Sequence, residues 1–137
     1  MHRRVTSALC LGTILALMSV ASSVAGELVV VMGANAAPLT KEQLADLYLG
    51  RSTSLKPLDL PESSELHDVF YRKVTDRDPA QVKALWSRII FTGQGQPPKQ
   101  LPDAAAVKKA VAADPKMVGY IEKSDVDASV KVVLSLP

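Results

Sequence analysis

Leu39-Thr40-Lys41-Glu42-Gln43-Leu44-Ala45-Asp46-Leu47-Tyr48-Leu49-Gly50-Arg51 reads as a helix whose start and stop signals are both present. Thr40 can cap the first turn while Gln43, three residues on, reaches back to its backbone N–H, and Leu39 can pack on Leu44 as a hydrophobic staple. Leu44, Leu47 and Tyr48 recur at helical spacing, and Gly50 supplies a left-handed stop. Taken alone, the tract is an ordinary amphipathic helix. What it belongs to is decided by its neighbours.

Before it, Leu28-Val29-Val30-Val31-Met32 is a continuous apolar run bounded by Gly33. Such a run predicts a strand buried on both faces, as in a parallel sheet covered by helices. After it, Lys56-Pro57-Leu58-Asp59-Leu60 predicts a short strand that Pro57 pushes towards an edge or its first position. Leu66, Val69, Phe70 and Val74 give the next helix one apolar stripe. Asp78 as cap, Pro79 at the first helical position and Gln81 closing the box start another. Its stripe of Val82, Leu85, Trp86, Ile89 and Ile90 ends at Gly93. Gly93-Gln94-Gly95-Gln96-Pro97-Pro98 reads as an irregular loop. Asp103 caps a helix running through Val107 and Val111. Asp114-Pro115 then turns the chain into a strand over Met117–Ile121, and Val130–Leu134 forms the last strand. This alternation predicts a three-layer α/β domain around a mainly parallel or mixed sheet.

Three tracts in order carry a family resemblance. Leu44-x-x-Leu47-Tyr48-Leu49-Gly50-Arg51 resembles the segment "L-x-x-I-(Y/F)-x-G-(K/R)" of the phosphate-binding periplasmic receptors of ABC transporters. Phe70-Tyr71 follows in the helix after Pro61-Glu62-Ser63-Ser64. Ala112-Ala113-Asp114-Pro115-Lys116-Met117-Val118-Gly119-Tyr120-Ile121 is similar to the family's "V-x-x-x-P-x-x-I-G-Y" strand. The resemblance implies one lobe of the two-lobed type 2 periplasmic binding fold, α/β/α in its layers. It also implies a non-enzymatic role in solute transport, no cofactor, phosphate or a similar oxyanion as ligand, and a membrane transporter as partner. The expected order of elements leaves no sequence for a second lobe.

Residues 1–25 read as a secretory signal. His2, Arg3 and Arg4 give a positive start, an apolar run extends from Ala8 to Val20, and Ser23-Val24-Ala25 makes a small-x-small cleavage site before Gly26. The run is shorter than the roughly 20 residues that cross a bilayer. Removing 25 of the 137 residues leaves 112, one domain with room for a core, expected in the periplasm. Cys10, the one cysteine, lies in this leader. Residues 26–137 therefore hold no disulfide, thiol nucleophile or cysteine metal site. Loss of Arg3 and Arg4 leaves 14 of 16 basic residues against 14 acidic ones, so the formal charge falls from +2 to zero. With six aromatic residues and no basic cluster, neither nucleic acid nor an anionic membrane surface is indicated.

In the phosphate receptors, an arginine and a Ser-Gly-Thr triplet at a helix start grip the anion. The resemblance places Asp59-Leu60-Pro61-Glu62-Ser63-Ser64-Glu65 there. Ser63 and Ser64 can supply hydroxyls at a helix N-terminus, where unpaired N–H groups favour an anion. The arginine and the triplet are absent, and Asp59, Glu62 and Glu65 would repel a dianion. The plainer role of these serines is capping. Arg51, after the Gly50 stop, is a further candidate for anion contact, as is Arg88; each also reads as a solvated or paired surface arginine. Tyr71 and Tyr120 are tyrosines whose hydroxyls could face a cleft. The candidate ligand contacts are thus Ser63, Ser64, Arg51 and Tyr120. His67 stands alone after the leader, too isolated for a conventional zinc site, and no strand-to-helix elbow presents a serine for catalysis. The competing reading is an interaction module that kept the fold, lost the ligand and docks on a periplasmic protein or a second copy of itself.

Overall fold

Every side chain of the apolar run Leu28–Met32 (β1) is buried. The computed structural model describes residues 27–137, so the predicted leader and its cleavage site lie outside the described residues. After β1 come α1 (Lys41–Tyr48), β2 (Lys56–Asp59), α2 (Glu65–Thr75), α3 (Pro79–Phe91) and β3 (Lys99–Gln100). α4 (Ala104–Ala113), β4 (Met117–Glu122), a single 3₁₀ turn and β5 (Lys131–Leu136) complete the chain.

The five strands form one sheet in the order β3-β2-β4-β1-β5. β2 runs parallel to β3 and β4, whereas β1 is antiparallel to both β4 and β5. The sheet is therefore mixed. β1 corrects the expectation that its uninterrupted apolar run marks a parallel strand. Burial on both faces needs only helices on both sides of the sheet, and it leaves strand direction open.

Those helices sit where strand alternation requires. Tyr120 packs against Tyr48 of α1 and Phe70 of α2. A Cβ on the preceding residue, Gly119, would come within 2.5 Å of Val107 on α4. Successive side chains point to opposite faces, so α1 and α2 cover one face and α4 the other. α3 joins the first group: the indole N–H of Trp86 donates to the Tyr48 carbonyl at 2.9 Å.

The local signals fold as written. Thr40 and Gln43 exchange both bonds of a capping box, as do Asp78 and Gln81. Gly50, at φ 78°, ends α1 while the Arg51 and Gly50 N–H groups return to the Asp46 and Leu47 carbonyls.

Three further features differ from the sequence reading. β3 was not predicted; it adds a two-residue parallel edge against Leu58 and Asp59 only, so Pro57 lies where β2 has a single neighbour, Val118 on β4. The buried stripe of α2 is His67, Phe70, Tyr71 and Val74, with Leu66 and Val69 only partly covered. Ile90, at the end of the α3 stripe, is 52% exposed, while Ile89 beside it packs against the core.

Candidate functional site

The strand β2 ends on a buried carboxylate. Asp59 is 5% exposed, and it is one of only two buried polar or charged residues among those described; the other is His67, at 7%. Burying a charge is costly unless donors surround it, and here they do. The Tyr71 hydroxyl donates to Asp59 Oδ2 at 2.7 Å, and the Tyr120 hydroxyl donates to Oδ1. The backbone N–H of Leu60 also donates to Oδ1 at 2.9 Å, and shares itself with the Tyr120 oxygen at 3.2 Å. His67 Nε2 stands 3.6 Å from Oδ2, while its Nδ1 lies 3.2 Å from the Asp68 carboxylate.

An aromatic cluster holds this cage. Phe70 stacks on Tyr120 with ring centroids 3.9 Å apart and planes 5° from parallel. It meets Tyr48 edge-on at 4.6 Å. Tyr48 is itself anchored by donating to the Leu58 carbonyl. Burial is the main reason that all three tyrosine hydroxyls are pushed well above their ordinary range, and the Asp59 charge adds to it.

An unfolded tyrosine releases its proton near pH 10, whereas these three keep theirs in the folded chain. Above that pH the folded state binds more protons than the unfolded one, so this contribution to stability is complete below it and is lost as pH rises. Tyrosinate absorbance is expected to stay at baseline until the circular dichroism of the fold collapses. A tyrosinate signal from folded protein would contradict the cage.

The four sequence candidates are spread over separate places. Ser63 and Ser64 line a cleft of about 400 Å³ where the start of α2 meets the start of α4. Ser64 occupies the N-cap position of α2, but its hydroxyl caps nothing. The first-turn N–H groups of α2 therefore receive no side-chain cap among the described residues, contrary to the capping role expected of these serines. The neighbouring α4 is closed by its own Asp103, which accepts from the Ala106 N–H at 2.9 Å. Asp103 and Asp125 also border the cleft. Arg51 lies in a different cleft, exposed, with Nη1 3.5 Å from Asp46 beside the C-terminal end of α1. Tyr120 is 1% exposed and spends its hydroxyl on Asp59. Only Ser63 and Ser64 of the four share a cavity.

A second cavity, of about 300 Å³, opens beside the cage. Asp59, His67 and Tyr71 form its polar side; Val82, Trp86 and Ile90 of α3, with Pro97 and Pro98, form apolar walls. Glu62 and Lys83 pair across its rim at 3.7 Å. Sequence reasoning missed Asp59 as a structural centre because its partners lie 12 and 61 residues away. Among the described residues no group of three or more acidic, histidine or cysteine side chains is placed to hold a metal ion. No helix there is long and apolar enough to cross a membrane.

No protein-family model matches the chain, and no curated protein does. Solved structures are similar. An ABC-type phosphate transport receptor from Vibrio cholerae superposes with a TM-score of 0.59 at 20% identity, over 78% of this chain and 45% of that one. A protein described as a phosphate ABC transporter substrate-binding protein, from Clostridium perfringens and with phosphate bound, gives 0.62 at 20% identity over 78% and 44%. PstS from Borrelia burgdorferi gives 0.52 at 12% identity over 69% and 40%. This chain therefore spans less than half the length of these neighbours. It carries the fold of the phosphate ABC transporter substrate-binding proteins over the extent of a single lobe.

Proposed function

We propose that the chain is an exported, non-enzymatic solute-binding lobe that contacts phosphate or a similar oxyanion at the start of α2. The observation that carries this reading is the uncapped first turn of α2 opening beside Ser63 and Ser64. The Glu65 and Leu66 N–H groups and two hydroxyls offer donors at the positive end of the helix dipole, while the His67 N–H is already spent on the Ser64 carbonyl. The phosphate receptors named above share this fold. The features of residues 1–25 support export to the periplasm, and a membrane transporter is the corresponding partner. Arg51 and Tyr120 fall outside this contact set.

Binding is weak in this account. One lobe supplies part of a donor set and leaves the anion wet, while Asp103 and Asp125 oppose it. Ser63→Asp with Ser64→Asp adds like charge at the helix start and should abolish phosphate-induced shifts of the residue 63–66 amides in NMR titrations. Shifts that persist in the double variant would place the anion elsewhere.

A second reading, protein docking, is favoured by one observation. Phe91 is 92% exposed at the end of α3, beside the half-exposed Ile90.

A further inference from the structure

We infer that the cavity between α2, α3 and β3 is a separate binding site for a small ammonium ion carrying an apolar body. Asp59 Oδ1 already accepts from Leu60 and Tyr120, whereas Oδ2 accepts from Tyr71 alone. An ionised carboxylate offers about two acceptor positions on each oxygen, so Oδ2 has one unfilled. His67 Nδ1 faces Asp68 at 3.2 Å and is the nitrogen placed to donate. In the neutral ring this leaves Nε2 as an acceptor. At 3.6 Å, Nε2 and Oδ2 are too far apart for a hydrogen bond between them.

Nε2 has no hydrogen-bond partner among the described residues, yet no buried side-chain nitrogen or oxygen there is unsatisfied. It is therefore reached from the cavity. Two acceptors side by side call for one group with several N–H donors. A primary ammonium supplies three, together with the charge that a buried carboxylate favours. The walls select the rest of the molecule: Val82, Trp86, Ile90, Pro97 and Pro98 offer apolar surface, and about 300 Å³ suits a small body. At the rim, Lys83 opposes an incoming cation and is partly neutralised by Glu62. The site is distinct from the Ser63–Ser64 cleft, so its failure and the failure of the oxyanion reading are separate results.

Trp86 is the single tryptophan and lines the cavity, so its fluorescence reports occupancy. The purified chain is titrated with 2-phenylethylammonium, 2-phenylethanol and phenylacetate. The ammonium should give a saturable change, with the alcohol and the carboxylate at least about fivefold weaker because neither supplies a charged donor. His67→Phe keeps a ring and removes the acceptor; it should weaken ammonium binding about tenfold. Lys83→Ala, at an exposed position, should strengthen it about twofold at low salt. If His67→Phe does not fold, the Lys83→Ala comparison and the order of the three probes decide. Phenylacetate binding as tightly as the ammonium, no saturation by about 10 mM, or an affinity that ignores both substitutions would overturn the assignment.

Discussion

Asp59→Leu is expected to lower the unfolding free energy by about 3–5 kcal/mol, because it strands two buried tyrosine hydroxyls at about 1–3 kcal/mol each and removes an acceptor from the Leu60 N–H. The apolar shape of leucine is no remedy, since the cost lies in the orphaned donors. The stronger form of this prediction is a rescue. Adding Tyr71→Phe and Tyr120→Phe removes those donors together with their acceptor, and a triple variant should regain about 2 kcal/mol over Asp59→Leu alone. Urea denaturation measures both changes. A cost below about 1 kcal/mol, or a triple variant less stable than the single one, would mean that the cage contributes little.

Phe70→Ala should be of similar size, about 3–5 kcal/mol, through the cavity left by a fully buried ring. Its aromatic contacts with Tyr48, Tyr71 and Tyr120 each add about 0.5–1.5 kcal/mol beyond area burial. The stacked geometry against Tyr120 gives a further, specific consequence. Without Phe70 the Tyr120 hydroxyl is no longer held against Asp59, so Phe70→Ala and Asp59→Leu should cost less together than the sum of their separate effects. Against a total stability of about 5–15 kcal/mol for a domain, either change could leave little folded protein at equilibrium. Phe70→Leu, which keeps most of the volume, provides the measurable intermediate and should cost less than about 2 kcal/mol. Strict additivity of Phe70→Leu with Asp59→Leu would argue that stack and cage are independent.

What could be read from sequence and what could not divide along the length of the interactions. The Thr40–Gln43 and Asp78–Gln81 boxes are closed within three residues, and the Gly50 stop within five, so their residue types announce them. The alternation of elements was likewise legible, and with it the α/β architecture. Direction and edge pairing were not. β1 shows how an apolar run reports helices on both faces and nothing about its neighbours. β3 pairs at only two positions, too few to carry a pattern.

The site was legible in the same partial way. Ser63 and Ser64 were placed at a helix start, since Pro61 and the following apolar periodicity mark it. That the Ser64 hydroxyl would leave the first turn uncapped is a matter of rotamer and packing. Asp59 was read only as a charge that would repel a dianion. Its burial depends on Tyr120, a residue brought beside it only when β4 pairs with β2. His67 was read as unable to hold zinc because residues 26–137 contain no second histidine and no cysteine, and its approach to Asp59, on another element, carries no sequence signal.

An oxyanion held at the α2 start should be seen by calorimetric titration of the purified chain with phosphate, and separately with sulfate. A saturable phosphate heat with weak, one-lobe affinity is expected, and it should disappear in the Ser63→Asp, Ser64→Asp double variant. No heat with either anion, or a phosphate affinity unchanged by the double variant, would contradict the oxyanion reading.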